Sequence, residues 1–122
     1  MKKILVIDDD ESLLKMMSEL LTRSGYEVYK AVDGKKGLRL FYDNRPDLVV
    51  TDLIMPEKEG LEVIMELQKQ EPKPKIIAIS GGGKLKPESY LPLAERLGAD
   101  YVLEKPFRNP EFLGLIEELL SR

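Results

Sequence analysis

Five side chains of this 122-residue chain are of the types that handle phosphoryl groups. Asp8 and Asp9 form an acidic pair, and Asp52, Ser80 and Lys105 lie further along the chain. Carboxylates held close together repel one another unless a cation neutralises them, and Mg²⁺ binds carboxylates while keeping positions for phosphate oxygens. A lysine supplies charge, and a hydroxyl a hydrogen bond, to phosphoryl oxygens. If these residues meet, they predict a magnesium site in which one aspartate accepts a phosphoryl group.

Composition excludes several other kinds of chemistry. The chain has no cysteine and no histidine, which removes disulfides, thiol nucleophiles, the Ser–His–Asp triad and the commonest zinc ligands. A net charge of −3 gives no electrostatic argument for sequence-independent DNA binding. The strongly apolar run near the start, residues 4–7, is too short for a signal peptide or a membrane span, so we expect a cytoplasmic protein without a membrane partner.

Five short apolar runs alternate with segments of helical periodicity, the pattern of a βαβ succession. The predicted strands are residues 4–7, 28–32, 48–51, 76–80 and 101–103. Four of these runs are continuous, as in parallel strands covered on both faces, and the second carries Lys30 and is predicted to be an edge. The length fits one domain, residues 1–122. We therefore predict an α/β fold with a doubly wound, five-stranded parallel sheet, flavodoxin-like (βα)5, in the strand order 2-1-3-4-5.

The helices between the strands are predicted from their apolar spacing and from glycine or proline at their ends. In the first, Leu13, Met17, Leu20 and Leu21 are expected to face inward before Gly25 ends the helix. Leu38 and Phe41 mark the second helix, and Leu61, Ile64 and Met65 the third. The fourth is expected from Pro87 to Leu97, ending at Gly98. The fifth, residues 110–120, is expected to bury Phe112, Leu115, Ile116 and Leu119.

This topology brings the five chemical side chains to one edge of the sheet, because each follows or ends a parallel strand. Each alone has an ordinary explanation. Asp9 or Asp10 could cap the first helix, for example, and Asp52 could be a turn residue. Such side chains are far less probable by chance at four strand ends than at one. The prediction therefore rests on their occurrence together.

The sequence resembles the receiver domain of bacterial two-component response regulators over essentially its whole length. The matching segments are ILVIDD (4–9), VDG (32–34), PDLVVTDLIMP (46–56), Gly60, IIAIS (76–80), GAD (98–100) and KPF (105–107). The resemblance implies that Asp52 accepts the phosphoryl group and that Asp8 and Asp9, with Asp52 and the carbonyl of Ile54, bind Mg²⁺. It also implies that Ser80 is the switch hydroxyl, that Lys105 contacts the phosphoryl group, and that the Lys105–Pro106 bond is cis.

The resemblance implies a signalling domain rather than a conventional enzyme, one that catalyses only its own phosphoryl transfer and slow autodephosphorylation. The donor would be a sensor histidine kinase or a histidine phosphotransfer protein. Ser80 and the backbone amide of Gly81 are expected to bind the phosphoryl oxygens. Phosphorylation would alter residues 80–90 and the surface formed by the fourth helix, fifth strand and fifth helix. This surface would control a protein target, and no direct contact with nucleic acid is expected. Whether the domain stands alone or belongs to a larger regulator is left open.

Three positions depart from the family pattern. Val102 stands where the family usually has an aromatic switch residue, and Tyr101 should point to the opposite face of the sheet. The segment from Ser80 to Gly98 looks longer than usual. Ile54 and Gly82 offer no side chain that could orient an attacking water, so we expect slow hydrolysis of the phosphorylated form.

Two alternatives remain. A degenerate receiver would bind partners without phosphorylation. A phosphatase of the haloacid-dehalogenase type would use Asp8 as nucleophile and Asp10 as general acid and base, since DDDES (8–12) resembles that family's motif. The sequence has no later Gly-Asp motif of that superfamily, which disfavours the phosphatase.

Overall fold

The computed structural model describes residues 1–53, 60–80, 92 and 95–121. This part of the chain contains five strands and four long helices. The strands are β1 (Lys3–Ile7), β2 (Glu27–Ala31), β3 (Leu48–Asp52), β4 (Lys75–Ser80) and β5 (Tyr101–Glu104). The helices are α1 (Glu11–Arg23), α2 (Gly34–Asn44), α3 (Gly60–Gln68) and α4 (Asn109–Leu120). Each strand lies within one residue of the predicted run at either end.

All five strands are parallel and form one sheet in the order β2-β1-β3-β4-β5. This confirms the predicted fold and strand order, and it confirms β2 as an edge strand. The central strands β1, β3 and β4 are buried along almost their whole length, as their continuous apolar sequences predict. Their carboxyl ends therefore lie side by side at one edge of the sheet.

Helices cover both faces of the sheet, and each face has its own apolar core. On one face α2 and α3 pack against the sheet through Leu38, Phe41 and Ile64. On the other face α1 and α4 pack through residues such as Met17 and Phe112. The strands contribute alternate residues to the two cores, as the pleat requires. The sheet is thus clamped between two helical layers, which makes it a rigid support for its strand ends.

The buried face of α1 is rotated slightly from the predicted one. Met17 and Leu21 are buried as expected, but the face is completed by Leu14 and Ser18. Leu13 and Leu20 also pack against this core, but they are only partly buried and lie at the margin of the face. Ser18 is accommodated in the core because its hydroxyl donates a hydrogen bond to the Leu14 carbonyl at 2.7 Å.

The other helices follow their predictions more closely. Phe112, Leu115, Ile116 and Leu119 of α4 are all buried. In α3, Ile64 is buried and Met65 is 49% exposed; Val63 and Leu67 complete the buried face. Most of the predicted fourth helix lies outside the described residues. Its described end, residues 95–97, is helical and stops at Gly98, whose φ of +106° suits glycine.

Two aspartates join strands at the edge of the sheet where the strands begin. Asp47 Oδ2 accepts a hydrogen bond from the Lys3 backbone amide at 2.8 Å. Asp100 Oδ2 accepts one from the Ile76 amide, also at 2.8 Å. Each carboxylate satisfies an amide at the start of a neighbouring strand, so acidic side chains at this edge support the fold.

Candidate functional site

Three carboxylates meet at the opposite edge, where the strands end. Asp8 follows β1 directly, Asp52 is the last residue of β3, and Asp9 comes next to Asp8 in the chain. One oxygen from each carboxylate lies within 4.8 Å of the others. Asp8 is buried, Asp52 is partly buried and Asp9 is exposed, so the cluster opens from the core towards solvent.

Lys105 brings a positive charge to this cluster. It follows β5 directly, and its Nζ lies 3.2 Å from Asp52 Oδ2 and 3.4 Å from Asp8 Oδ2. Burial lowers the pKa of Lys105, but the two carboxylates more than offset this effect, so its pKa lies above the ordinary value. The lysine is therefore charged at neutral pH and bridges the ends of β1 and β3. Its peptide bond to Pro106 is cis, as the resemblance implied.

Asp8 is in an unfavourable environment for a charged carboxylate. Burial raises its pKa from 3.8 to about 6; the negative charge of Asp52 adds to this, while the Asp10 amide and Lys105 oppose it. Asp8 Oδ1 accepts the Asp10 backbone amide at 2.9 Å. The other oxygen, Oδ2, is buried, and among the described residues it has the ion pair with Lys105 Nζ at 3.4 Å but no hydrogen bond. A divalent cation bound to this oxygen would relieve the repulsion between the carboxylates.

The neighbouring aspartates that follow β1 have different roles. Asp10 caps α1, since its Oδ1 accepts the backbone amides of Ser12 and Leu13 at 3.1 and 3.2 Å. Asp10 is therefore the residue that caps the helix. The exposed Asp9 belongs to the carboxylate cluster instead. It also removes support from the phosphatase alternative, which requires Asp10 as general acid and base.

Ser80 stands at the carboxyl end of β4, beside β3. Its predecessor Ile79 pairs with Asp52 in the sheet register. The Ser80 side chain is almost completely buried, and its Oγ has no hydrogen-bond partner within the described part of the chain. The remaining predicted contributors, the Ile54 carbonyl and the Gly81 amide, lie outside the described residues, as do Gly82 and residues 83–90.

The prediction that Val102 and Tyr101 face opposite sides of the sheet is confirmed. Val102 packs against the core under α2 and α3. Tyr101 is 47% exposed and lies beside α4 on the other face. Neither side chain can therefore replace the other at the expected switch position.

Gly60 is a site residue whose role was not predicted, although it belongs to the matching segments. A Cβ at this position would lie 1.9 Å from the Asp52 carbonyl oxygen and 2.6 Å from Leu53 Cα. The Gly60 amide donates to the Leu53 carbonyl at 3.0 Å. Only glycine lets α3 begin this close to the end of β3, so Gly60 helps to set the backbone that carries Asp52.

The donor set fits a hard divalent cation. Among the described residues it consists of carboxylate oxygens, one of them buried without a hydrogen bond, and such oxygens are the ligands that Mg²⁺ prefers. Asp8, Asp9 and Asp52 would hold the ion. Lys105 occupies the same cluster and, as a point charge, suits an anionic group bound beside the metal.

Comparison with known proteins agrees with this geometry. The family model described as "Response regulator receiver domain" matches residues 4–117. The chain is 38% identical over 122 residues to the transcriptional regulatory protein CpxR of Klebsiella pneumoniae, and 36% identical over 121 residues to the alkaline phosphatase synthesis transcriptional regulatory protein PhoP of Bacillus subtilis. These matches cover 100% and 99% of this chain but 50% and 49% of the relatives. The chain thus spans about half the length of the curated relatives it matches.

Solved structures show the same likeness. A response regulator receiver domain protein from Clostridium thermocellum superposes with a TM-score of 0.90 at 33% identity, covering 100% of this chain and 96% of that one. A CheY-like receiver domain protein from Methanospirillum hungatei also gives 0.90, at 30% identity, covering 99% and 94%. No helix among the described residues is long and apolar enough to cross a membrane. The chain belongs to the receiver domains of two-component response regulators.

Proposed function

We propose that Asp52 accepts a phosphoryl group, in a Mg²⁺-dependent reaction, from a sensor histidine kinase or a histidine phosphotransfer protein. The observation that carries this proposal is the position of Lys105 Nζ, 3.2 Å from Asp52 Oδ2 at the edge of a cluster of three carboxylates. Transfer of a phosphoryl group requires a fixed positive charge beside the accepting carboxylate. Asp52 is the more accessible of the two carboxylates at the ends of β1 and β3.

In the proposed reaction an oxygen of Asp52 attacks the phosphorus of the donor. A phosphorus–oxygen bond forms, the bond to the donor nitrogen breaks, and the imidazole keeps the electron pair and remains with the donor protein. Bound Mg²⁺ supplies positive charge that offsets the negative charge on the transferring oxygens. Lys105 supplies a second charge and holds Asp52 in place, and Asp8 and Asp9 provide the remaining carboxylates of the metal site.

The proposed signal begins with the charge that phosphorylation adds beside Ser80 and Lys105. The Ser80 hydroxyl is buried and has no partner among the described residues, so it is available as a donor to a phosphoryl oxygen. With the amide of Gly81 it would draw residues 80–90 towards the site and alter the surface that β5 and α4 share with the preceding helix. The target of this surface would be a protein. Relatives twice as long are named transcriptional regulatory proteins, so an attached effector is one form of such a target.

The proposal is tested by incubating the protein with acetyl phosphate, with and without Mg²⁺, and measuring the intact mass. We expect a gain of one phosphoryl group that needs Mg²⁺ and is absent from Asp52→Asn. Asp43→Asn is the matched control, since Asp43 is an exposed aspartate of α2 outside the cluster. Equal labelling of Asp52→Asn would refute the assignment, and no labelling of the wild type would favour the degenerate receiver.

A further inference from the structure

Thr51 is a buried polar residue to which the proposed reaction gives no role. In the described part of the chain four polar or charged residues are buried, namely Asp8, Ser18, Thr51 and Ser80. Asp8 and Ser80 belong to the candidate site, and the Ser18 hydroxyl bonds within its own helix. Thr51 is 0% exposed and follows three buried apolar residues in β3. A valine would fill the same space without a polar group to satisfy, so the hydroxyl needs a separate explanation.

The Thr51 hydroxyl acts on the backbone of the next residue. Its Oγ1 donates a hydrogen bond to the Asp52 carbonyl oxygen at 3.1 Å. In the sheet register Thr51 lies beside Ile7 of β1 and Ala78 of β4, both of which are apolar. Because a hydrogen bond is electrostatically stronger in apolar surroundings than in water, this bond can restrain the end of β3.

The peptide group between Asp52 and Leu53 is held at both ends. Its carbonyl oxygen accepts the Thr51 hydroxyl, and its amide donates to the Ile79 carbonyl of β4 at 3.0 Å. The start of α3 lies against the same oxygen, since a Cβ at Gly60 would be 1.9 Å from it. A peptide group is planar, so fixing its direction fixes one of the two backbone torsions of Asp52. The backbone that carries the Asp52 carboxylate is therefore restrained from two sides.

We infer that Thr51 is a positioning residue for the phosphorylation of Asp52. Its hydroxyl fixes the Asp52 backbone so that the carboxylate stays beside Lys105, whose Nζ lies 3.2 Å from Asp52 Oδ2. A displacement of about 1 Å at a reacting group can slow a reaction about a hundredfold. The inference rests on the proposed function, because it concerns the same acceptor, but the place of the carboxylate can be measured without phosphorylation.

The test compares variants of the full chain that keep or lose the hydroxyl. Thr51→Val keeps the shape of the side chain and loses the hydroxyl, whereas Thr51→Ser and Thr51→Ala differ from each other only in the hydroxyl. The rate of mass gain from acetyl phosphate and Mg²⁺ is measured at a temperature at which circular dichroism shows each variant to be folded. We expect Thr51→Val to react about tenfold more slowly than the wild type. Thr51→Ser should react close to the wild-type rate, and Thr51→Ala several times more slowly than Thr51→Ser.

Thr22→Val is the matched control. Thr22 is the other threonine of the chain, and its hydroxyl also donates to a backbone carbonyl, that of Ser18 at 2.8 Å, but within α1 and outside the candidate site. Its rate of phosphorylation should equal that of the wild type. A Thr51→Val variant as fast as the wild type would overturn the inference. Equal rates for Thr51→Ser and Thr51→Ala would do the same, because the hydroxyl would then have no effect on the reaction.

Crystal structures of the wild type and Thr51→Val separate this inference from the proposed function. In the variant we expect the separation of Lys105 Nζ and Asp52 Oδ2 to increase beyond 3.2 Å, whether or not acetyl phosphate adds mass. An unchanged separation, together with normal phosphorylation of the wild type, would refute the inference alone. A displaced carboxylate in Thr51→Val, together with no mass gain in the wild type, would refute the proposed function and leave Thr51 as the residue that positions Asp52.

Discussion

Asp8 should make the metal-free protein less stable as the pH rises. The side chain is 0% exposed, and burial raises its pKa from 3.8 to about 6. Between those values the folded protein holds a proton that the unfolded chain has released, so the free energy of unfolding falls with increasing pH. One pKa unit corresponds to about 1.4 kcal/mol, so the loss is about 3 kcal/mol, complete slightly above pH 6.

Replacing Asp8 by asparagine isolates this effect. Asn keeps an oxygen that can accept the Asp10 amide, and it has no charge to be desolvated or repelled by Asp52. The other carboxyl groups titrate in both proteins and largely cancel in the difference. We therefore expect the stability of Asp8→Asn relative to the wild type to increase by about 3 kcal/mol from pH 3 to pH 7.

The measurement is urea unfolding followed by circular dichroism at several pH values, without divalent cations. Asp43→Asn serves as the control, and its difference from the wild type should not vary with pH. Adding Mg²⁺ at pH 7.5 should stabilise the wild type much more than Asp8→Asn, because a ligand stabilises the state that binds it. A pH-independent difference between Asp8→Asn and the wild type would refute the reasoning about Asp8.

Four further predictions concern other residues in and beside the site. Asp10→Ala should lower the free energy of unfolding by about 1 kcal/mol through loss of the helix cap, with little change in Mg²⁺ affinity. Asp9→Ala should weaken Mg²⁺ binding in calorimetry and leave metal-free stability unchanged or raised; a large loss of stability would contradict its assignment as a ligand. Gly60→Ala should cost about 1–3 kcal/mol in urea unfolding, because the new Cβ would overlap the Asp52 carbonyl. It should also slow phosphorylation by acetyl phosphate, and normal stability would refute the tight contact. Lys105→Gln should tighten Mg²⁺ binding at pH 8 by removing a competing cation, while abolishing the phosphoryl mass gain; weaker binding would contradict this account.

The location of the candidate site could be predicted from the sequence because it depends on topology alone. Asp8, Asp52 and Lys105 each end or follow an apolar run, and parallel strands bring such positions to one edge whatever the details of packing. The roles of adjacent acids could not be separated in the same way. Asp9 and Asp10 both suit a helix cap, and only the backbone conformation, with φ −80° and ψ 100° at Asp10, decides between them.

Packing details were harder to predict for a similar reason. Paired leucines at 13–14 and 20–21 give α1 two overlapping apolar stripes, and the choice between them depends on how the helix lies on the sheet. Leu14 and Leu21 lie at the centre of the contact. The close approach of Gly60 to Asp52 likewise involves two elements, so the sequence shows the glycine but not the atom that it avoids.

The aspartates at the two edges of the sheet are under opposite selection. Asp47 and Asp100 hold strand amides, so folding alone preserves them. At neutral pH the burial of Asp8 opposes folding, and we expect that its proposed role at the metal site preserves it, a trade-off that is common at functional sites. In a gene copy released from signalling, we therefore expect Asp8 to be replaced early while Asp47 and Asp100 persist. The order in which acidic residues disappear among decaying paralogues would then record when signalling was lost.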